Sequence, residues 1–310
     1  MTARFPQPFA RPRPLISVWP TGQLDSHAQL ADGRYVPETA QDAGRMPPAI
    51  AAHAITTYTR PGDTVLDPDC GAGTVLTEAL RSGRHAIGLT SKPRWRYVAR
   101  ANIAAAKYDG ATPNGMVLDH LPATAATRLS GRLSLVLMAL RSTGSVHHSG
   151  QTPGDAAAPY DSVIRLCRRL TASRPLLCPG GHAIVTVQPR YRRGYLLDLA
   201  GLVWEAGEAA GLISIDRCVA LLTELCGDRL FTQNSLAQQA FAGQHQRVTG
   251  HPTALTVHHD VFVFRAPAET AQITARSAPT VPAGSASRCR VQGQLDLHRE
   301  RQVAKQRSAA

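Results

Sequence analysis

Lysine and acidic residues are scarce in this 310-residue chain, and that scarcity sets its charge. Lysine occurs only at Lys92, Lys107 and Lys305, so nearly all of the 34 basic residues are arginines, against 22 Asp and Glu. The formal net charge of +12 favours a polyanionic partner, and arginine suits bidentate contact with phosphate. A compositional bias toward Arg and Ala would give the same excess, so charge alone leaves nucleic-acid binding open.

Cysteines are few and scattered, and long apolar runs are missing. None of the six cysteines forms a C-x-x-C pair or another metal-ligand spacing. We expect reduced, mostly buried thiols, as in a cytoplasmic protein, and no metal site. No stretch approaches the roughly 18 apolar residues of a membrane span, so no membrane contact is expected. The opening "MTARFPQPFARPRP" has no apolar run after its basic residues, which argues against a signal peptide.

Composition divides the chain into three parts. Residues 1–45 are rich in Pro, Arg and Gly and show no period, which predicts an irregular N-terminal arm lying against the domain. Residues 46–265 carry the periodic pattern of a folded domain. Residues 266–310 contain seven Lys and Arg against three Asp and Glu, and are predicted to be a disordered basic tail.

Within the domain, apolar strand-like runs alternate with helical stretches. Examples are "TVLDP" at 64–68, "HAIGLT" at 85–90 and "LSLVLMAL" at 133–140, with a helix predicted through 195–210. Such alternation predicts βαβ units and a mostly parallel sheet covered on both faces. The final run at 255–265 follows no clear crossover helix, so we expect it to pair antiparallel with an edge or near-edge strand.

The loop "DPDCGAGT", residues 67–74, joins the first of these strands to a helix. Gly71 and Gly73 allow a tight turn and close approach of a ligand to the backbone, and the helix that follows offers unpaired N–H groups. Position 76 is Leu, so the third glycine of the dinucleotide fingerprint is missing. The loop predicts a ligand site at the carboxyl edge of the sheet.

This loop resembles the DPxCGxGT loop of S-adenosylmethionine-dependent DNA amino-methyltransferases of the N4-cytosine and N6-adenine type, with related RNA guanine methyltransferases. "RMPPAIAAHAI" (45–55) and "HDVFVF" (259–264) extend the resemblance over roughly residues 15–265. It implies the family's α/β, Rossmann-like seven-stranded fold, with one antiparallel strand, and S-adenosylmethionine as cofactor. The cofactor-binding residues that it implies are Asp67, Pro68, Cys70, Gly71, Gly73, Thr74, Thr90 and Asp119.

The chain departs from the family at the end of the second strand. A carboxylate is expected there to bind both ribose hydroxyls, but Thr90 takes its place, and no Asp or Glu occurs between Glu78 and Asp109. A neutral hydrogen bond contributes about 0.5–1.5 kcal/mol against about 1.5–3 for a charged acceptor. We therefore expect cofactor affinity to be reduced about tenfold or more.

A second departure follows the fourth strand. Family members carry (D/S/N)-P-P-(Y/F) there, which clamps the flipped base and accepts hydrogen bonds from its amine. The guanidinium of Arg141 has no acceptor capacity, and there is neither Pro-Pro nor an aromatic ring. The positions of the motif are occupied by Ala139, Leu140, Arg141 and Ser142.

A neutral histidine could in principle accept a proton in place of the absent motif. His147 and His148 follow Arg141 in a polar loop, and His258 and His259 lie in the last strand. Adjacent histidines of this kind are more often solvated or structural than catalytic, so the catalytic residues stay unassigned.

A nucleic-acid contact is predicted in "PRYRRGY", residues 189–195, after the fifth strand. Arginines that bind phosphate alternate there with tyrosines that can stack on bases, although a solvated basic loop would look the same. The candidate residues are Arg190, Tyr191, Arg192 and Arg193.

Three functions are compatible with these features. The first is a methyltransferase-like protein acting on nucleic acid, DNA rather than RNA, with weak or absent activity. The second is a non-catalytic module that binds nucleic acid or a protein partner on the same scaffold. The third is a dinucleotide enzyme in which Thr90, Ser91, Lys92 and Arg94 cradle a 2′-phosphate.

Overall fold

The computed structural model describes residues 14–141, 158–192, 195–231 and 254–268, with residues 243, 246, 247 and 250. Two short 3₁₀ helices occupy Pro37–Gln41 and Arg174–Leu176. The α-helices are α1 (Ser26–Asp32), α2 (Pro48–Tyr58), α3 (Thr74–Arg81), α4 (Pro93–Tyr108), α5 (Ala123–Leu129), α6 (Ala158–Ser173) and α7 (Leu199–Ala209). The strands are β1 (Val18–Trp19), β2 (Thr64–Asp67), β3 (His85–Leu89), β4 (Gly115–Leu118), β5 (Leu133–Ala139), β6 (Leu177–Val187), β7 (Tyr191–Arg192), β8 (Tyr195–Leu196), β9 (Ile213–Leu221), β10 (Glu224–Cys226), β11 (Arg229–Phe231) and β12 (His258–Arg265).

Eight strands form one mixed sheet in the order β1-β9-β12-β6-β5-β2-β3-β4. Strand β12 runs antiparallel to both of its neighbours, and the remaining pairs are parallel. The predicted Rossmann-like methyltransferase fold is therefore confirmed, with its antiparallel strand at 258–265. The sheet has one strand more than the predicted seven, because β1 of the N-terminal arm adds to the edge beside β9.

The central strand β5 shows why the sheet is covered on both faces. Its residues Leu135, Val136, Leu137 and Met138 are at most 1% exposed, which requires an apolar layer on each side. Alternate residues enter different cores: Leu135 and Leu137 pack with α2, α3 and α4, whereas Val136 and Met138 pack with α6 and α7.

The structure also differs from the sequence prediction in the N-terminal arm and in the segment before α7. The arm is not irregular throughout, since it contains β1, α1 and the 3₁₀ helix; their shortness hides any period in the sequence. The helix predicted through 195–210 begins only at Leu199, where the Asp198 carboxylate accepts a hydrogen bond from the Gly201 N–H at 3.0 Å. The residues before it form the β7–β8 hairpin.

The predictions about membrane spans, metal ligands and cysteines can be compared with the described residues. Among those residues, no helix is both long and apolar enough to cross a membrane, and no group of three potential ligands could hold a metal ion. Five cysteines of this part of the chain form no disulfide among the described residues, and one of them, Cys226, is exposed. The predicted tail beyond residue 268 lies outside the described residues.

Candidate functional site

The glycine loop connects β2 to α3 at the carboxyl edge of the sheet. Gly71 and Gly73 have φ angles of +50° and +83°, which a side chain rarely allows. A Cβ at Gly73 would lie 2.8 Å from the Cβ of Ala99, so this glycine also lets α4 approach the loop. The sequence prediction of a tight turn at these two glycines is confirmed.

The N-terminal arm packs across this loop and buries it. The Asp42 carboxylate, only 2% exposed, accepts a hydrogen bond from the Ala72 N–H at 2.8 Å. The Asn102 amide of α4 donates to the Ala72 carbonyl at 2.9 Å and to the Thr39 hydroxyl at 2.7 Å. Residues 70–74 are all buried as a result.

Arg141, two residues beyond the end of β5, reaches over the same loop. Its Nη2 donates to the Asp42 carboxylate and its Nη1 to the Gly44 carbonyl at 3.1 Å. Its Nε lies 4.0 Å from Oδ2 of Asp69, which is also paired with Arg169 of α6. The guanidinium is therefore held by two carboxylates and a carbonyl, with 17% of the side chain exposed.

The Asp42–Arg141 ion pair lies directly against Gly71. A Cβ added to Gly71 would be 2.2 Å from Oδ2 of Asp42 and 2.4 Å from Nη1 of Arg141. The absence of a side chain at this glycine thus makes room for the protein's own ion pair. The Asp42 carboxylate also accepts a hydrogen bond from the Ala72 N–H, one of the backbone donors that a ligand at this loop would use.

Asp67 ends β2 beneath these groups and is almost wholly buried. Burial raises the pKa of its carboxyl group to about 7, although the Asp69 N–H donates to Oδ1 at 2.9 Å and favours the charged form. A nearby cationic group would return this pKa toward its usual range. Asp67 is thus suited to hold a positively charged ligand group.

Three other predicted cofactor residues are buried within the protein. Pro68 and Cys70 are buried, and Thr74 is the buried first residue of α3. Burial raises the pKa of the Cys70 thiol well above its usual range, and the side chain packs in the core between the sheet and α3.

Thr90 and Asp119 follow the ends of β3 and β4, at the same edge as the loop. Thr90 is 6% exposed, whereas more than half of the Asp119 side chain faces solvent. Hydrogen bonds from His120 lower the pKa of Asp119, and Arg96 lies 3.9 Å away. The structure thus brings all the predicted cofactor residues to one edge of the sheet, and their cofactor role stays a prediction.

The positions of the missing base clamp are described as far as Arg141. Ala139 and Leu140 are half-buried, and the backbone N–H of Leu140 donates to the Thr186 carbonyl at 2.8 Å. Ser142, His147 and His148 lie outside the described residues.

The predicted nucleic-acid residues begin at the end of β6. Arg190 is half-buried, and desolvation lowers the pKa of its guanidinium. Tyr191 and Arg192 form β7, and Arg193 lies outside the described residues. The nucleic-acid role of these residues stays a prediction.

Sequence reasoning missed Asp42 and Asn102, which hold the arm against the loop. Asp42 lies 25 positions before the end of β2 in a segment with no period, so nothing in the pattern links it to Gly71. Asn102 interrupts the apolar face of α4 as a fully buried amide, a signal that could have marked a polar contact.

A cavity of about 620 Å³ lies elsewhere, between the arm and the helices α2 and α3. Gln29, Arg34, Glu78 and Arg81 contribute to its lining, and none of the predicted site residues does. The cavity therefore does not mark the predicted cofactor site.

Comparisons with known proteins agree with the resemblance of the loop region. Residues 9–100, less than a third of the chain, match the family model described as DNA methylase, of the N6 and N4 type. The match includes the arm, the glycine loop and Thr90, and ends within α4.

The solved structures that are similar to this chain belong to proteins with different descriptions. A [4+2]-cyclase, SpnF, is 16% identical over 81% of this chain and 98% of its own, with a TM-score of 0.44. A structure described by the words "conversion of a disulfide bond into a thioacetal group during echinomycin biosynthesis" is 18% identical over 76% of this chain and 89% of its own, with a TM-score of 0.43. A TehB-like S-adenosylmethionine-dependent methyltransferase from Corynebacterium glutamicum is 15% identical over 77% and 97%, with a TM-score of 0.39. The resemblance to the DNA methylase family is thus confirmed by the match over residues 9–100.

Proposed function

We propose that this protein is an S-adenosylmethionine-dependent, DNA methyltransferase-like protein whose catalytic activity is weak or absent. The family match and the strand order support the methyltransferase scaffold. The finer claim concerns the chemistry at the end of β5, and it rests on the surroundings of Arg141.

The observation that carries the proposal is the engagement of Arg141 with Asp42. A base-amine methyltransferase needs acceptors at this strand end, because the amine loses a proton on methyl transfer. Arg141 offers donors alone, and they already bind Asp42 and the Gly44 carbonyl. Among the residues described at this end of β5, Ala139, Leu140 and Arg141, no side chain can therefore accept a hydrogen bond or a proton from the amine.

The residues at the loop fit the cofactor's charged amino-acid end better than its ribose. Asp67 could accept hydrogen bonds from an ammonium group, and the positive φ angles at Gly71 and Gly73 shape the turn. Thr90 offers the ribose one neutral acceptor in place of a carboxylate. The bound cofactor would supply an electrophilic methyl group, and any residual rate would come from positioning the base amine in line with it.

Calorimetric titration with S-adenosylmethionine tests the cofactor site. Gly71→Asp should abolish binding, because its side chain would collide with Asp42 and Arg141 at a strained φ. Gly62→Asp is the matched control, since Gly62 has a φ of +89° and open space where a Cβ would lie. Thermal melting of both variants shows whether each is still folded, so that a loss of the cofactor site can be told apart from unfolding. Absence of binding to the wild type would remove the cofactor proposal.

Transfer of a labelled methyl group to DNA and RNA tests the activity. We expect transfer to be absent or far slower than that of a relative with the base clamp intact. Rapid methylation of either nucleic acid would contradict the proposed loss of activity.

A second function is favoured by the same engagement of Arg141. If the site no longer transfers methyl groups, the chain is a binding module whose +12 charge holds nucleic acid. Binding that weakens steeply with salt, without any methyl transfer, would support this alternative.

A further inference from the structure

Helix α4 carries a stripe of cations and tyrosines, all exposed except the half-buried Lys107, that the proposed cofactor site does not use. The stripe, named here the α4 stripe, follows the helical period on the face opposite the buried residues Val98, Ala99, Asn102 and Ala106. Tyr97 and Tyr108 on it are 75% and 93% exposed. Its members are Arg94, Tyr97, Arg100, Ala104, Lys107 and Tyr108.

The cations of the α4 stripe are not neutralised by the described part of the chain. Helix α4 contains no Asp or Glu. Arg94 donates to the side-chain amide oxygen of Gln41, Arg100 to the Val117 carbonyl at 3.1 Å, and Lys107 to the Thr112 carbonyl at 2.9 Å. These partners are uncharged, so the three side chains are oriented but keep their full charge.

The length and position of the stripe suit a phosphate backbone. From Arg94 to Lys107 the helix rises about 20 Å. A DNA duplex carries one negative charge per roughly 1.7 Å, so about a dozen phosphate charges fall within that length. The stripe begins four residues after Thr90, at the sheet edge that carries the glycine loop.

The exposed side chains favour nucleic acid over a membrane surface. A helix that binds a membrane inserts large apolar residues, whereas the α4 stripe presents Ala104 and two tyrosines. Tyrosines interspersed with arginines are typical of nucleic-acid contacts.

We propose that the α4 stripe holds the phosphate backbone of duplex DNA, without reading its sequence. This inference rests on the proposed function for the identity of the nucleic acid. It shifts the main contact from the half-buried Arg190 to a helix on which two of the three cations, Arg94 and Arg100, are exposed.

Fluorescence anisotropy with a labelled duplex of about 20 base pairs tests the surface across a salt series. The triple variant Arg94→Gln, Arg100→Gln, Lys107→Gln should weaken binding at least tenfold. It should also reduce the slope of log K against log salt by up to about 2.7, at about 0.9 per lost phosphate contact. The matched control replaces three exposed arginines away from α4, Arg128→Gln, Arg132→Gln and Arg229→Gln, and removes the same charge. Equal weakening by both triple variants would overturn the proposal, because it would reflect net charge alone.

Further arms separate this surface from the cofactor site and from other polyanions. Calorimetry with S-adenosylmethionine should give the same affinity for the α4 variant as for the wild type. A wild type that binds duplex DNA but no cofactor would support the surface and remove the methyltransferase proposal. A wild type that binds cofactor but no duplex would overturn the proposed DNA contact of the α4 stripe and leave the cofactor proposal standing. Tighter binding to duplex RNA, or to phosphatidylserine vesicles, would overturn DNA as the partner.

Discussion

Asp42 and Arg141 form an ion pair that is largely withdrawn from water, with 2% and 17% of their side chains exposed. Removing one partner leaves the other charge in a poorly solvated place, at a cost of about 3–5 kcal/mol for fully buried pairs. We predict that Arg141→Gln lowers the free energy of unfolding by roughly 3 kcal/mol, measured in urea. Asp42→Asn with Arg141→Gln should cost less than the sum of the two single changes.

The exposed pair of Arg34 and Asp109 provides the control for this cycle. Its N–O distance is 3.3 Å, but 78% of the Arg34 side chain faces solvent. Arg34→Gln should therefore change stability by less than about 1 kcal/mol. Additive costs for Asp42 and Arg141 would show that the two side chains stabilise the fold independently.

A second residue-scale prediction concerns Thr90, the residue at the acid position of the family. Thr90→Glu should tighten S-adenosylmethionine binding about tenfold, because a charged acceptor would replace a neutral one. Thr90→Gln has a similar shape without the charge and should tighten binding less. Calorimetric titration of both variants measures the difference. A Glu variant that binds no tighter than wild type would contradict the ribose role of this position.

At the scale of elements, α7 approaches β12 at Gly207. A Cβ there would lie 2.1 Å from Cε1 of Phe264, a ring with no exposed surface. Gly→Ala inside a helix ordinarily stabilises it by about 0.5–1 kcal/mol. We predict that Gly207→Ala instead destabilises the protein by about 1–3 kcal/mol, because the core is overpacked.

Denaturant unfolding measures this effect against Gly201→Ala in the same helix. At Gly201 a Cβ would meet only the flexible Asp198 carboxylate, at 3.1 Å. Adding Phe264→Leu to Gly207→Ala should recover part of the lost stability. A stabilising Gly207→Ala would mean that the strand and helix separate without cost.

The elements that sequence could predict are those with a long, regular apolar pattern. Strand β5 is continuous and apolar, so its predicted bounds, 133–140, differ from the observed ones by one residue. Helix α5 has no buried residue, and β7 and β8 have two residues each, so no period marks them. The site followed the same rule: the glycine loop has a local signature, whereas Asp42 reaches it only through the tertiary fold.

At the scale of the whole molecule, the buried carboxyl group of Asp67 and the partly buried imidazole of His259 have opposite effects on stability in acid. Burial raises the pKa of Asp67 to about 7, so its contribution to stability is present below about pH 3.8 and lost as the pH rises to 7. Burial lowers the pKa of His259 to about 4, and its Nδ1 has no hydrogen-bond partner among the described residues. Its contribution is present above pH 6.5 and lost as the pH falls to 4.

We therefore predict that the two contributions largely cancel between about pH 4 and 6.5. Asp67→Asn should leave the histidine effect, so stability should fall by up to roughly 3 kcal/mol as the pH drops through this range. His259→Gln should leave the aspartate effect and give the opposite slope. Urea unfolding of both variants at several pH values measures the slopes, and parallel slopes would contradict the assignment.

The pairing of β1 also sets an order for folding during synthesis. The Thr21 hydroxyl donates to the Leu221 carbonyl, 200 residues later in the chain, and Val18 pairs with Val219. At about 5–20 residues per second, roughly 10–40 s of translation separate the two partners. Trp19, 1% exposed in the finished protein, has no strand to pack beside during that time. Strand β1 thus leaves the ribosome before every other described strand and is among the last of them to be paired, and until then its apolar surface is open to chaperones.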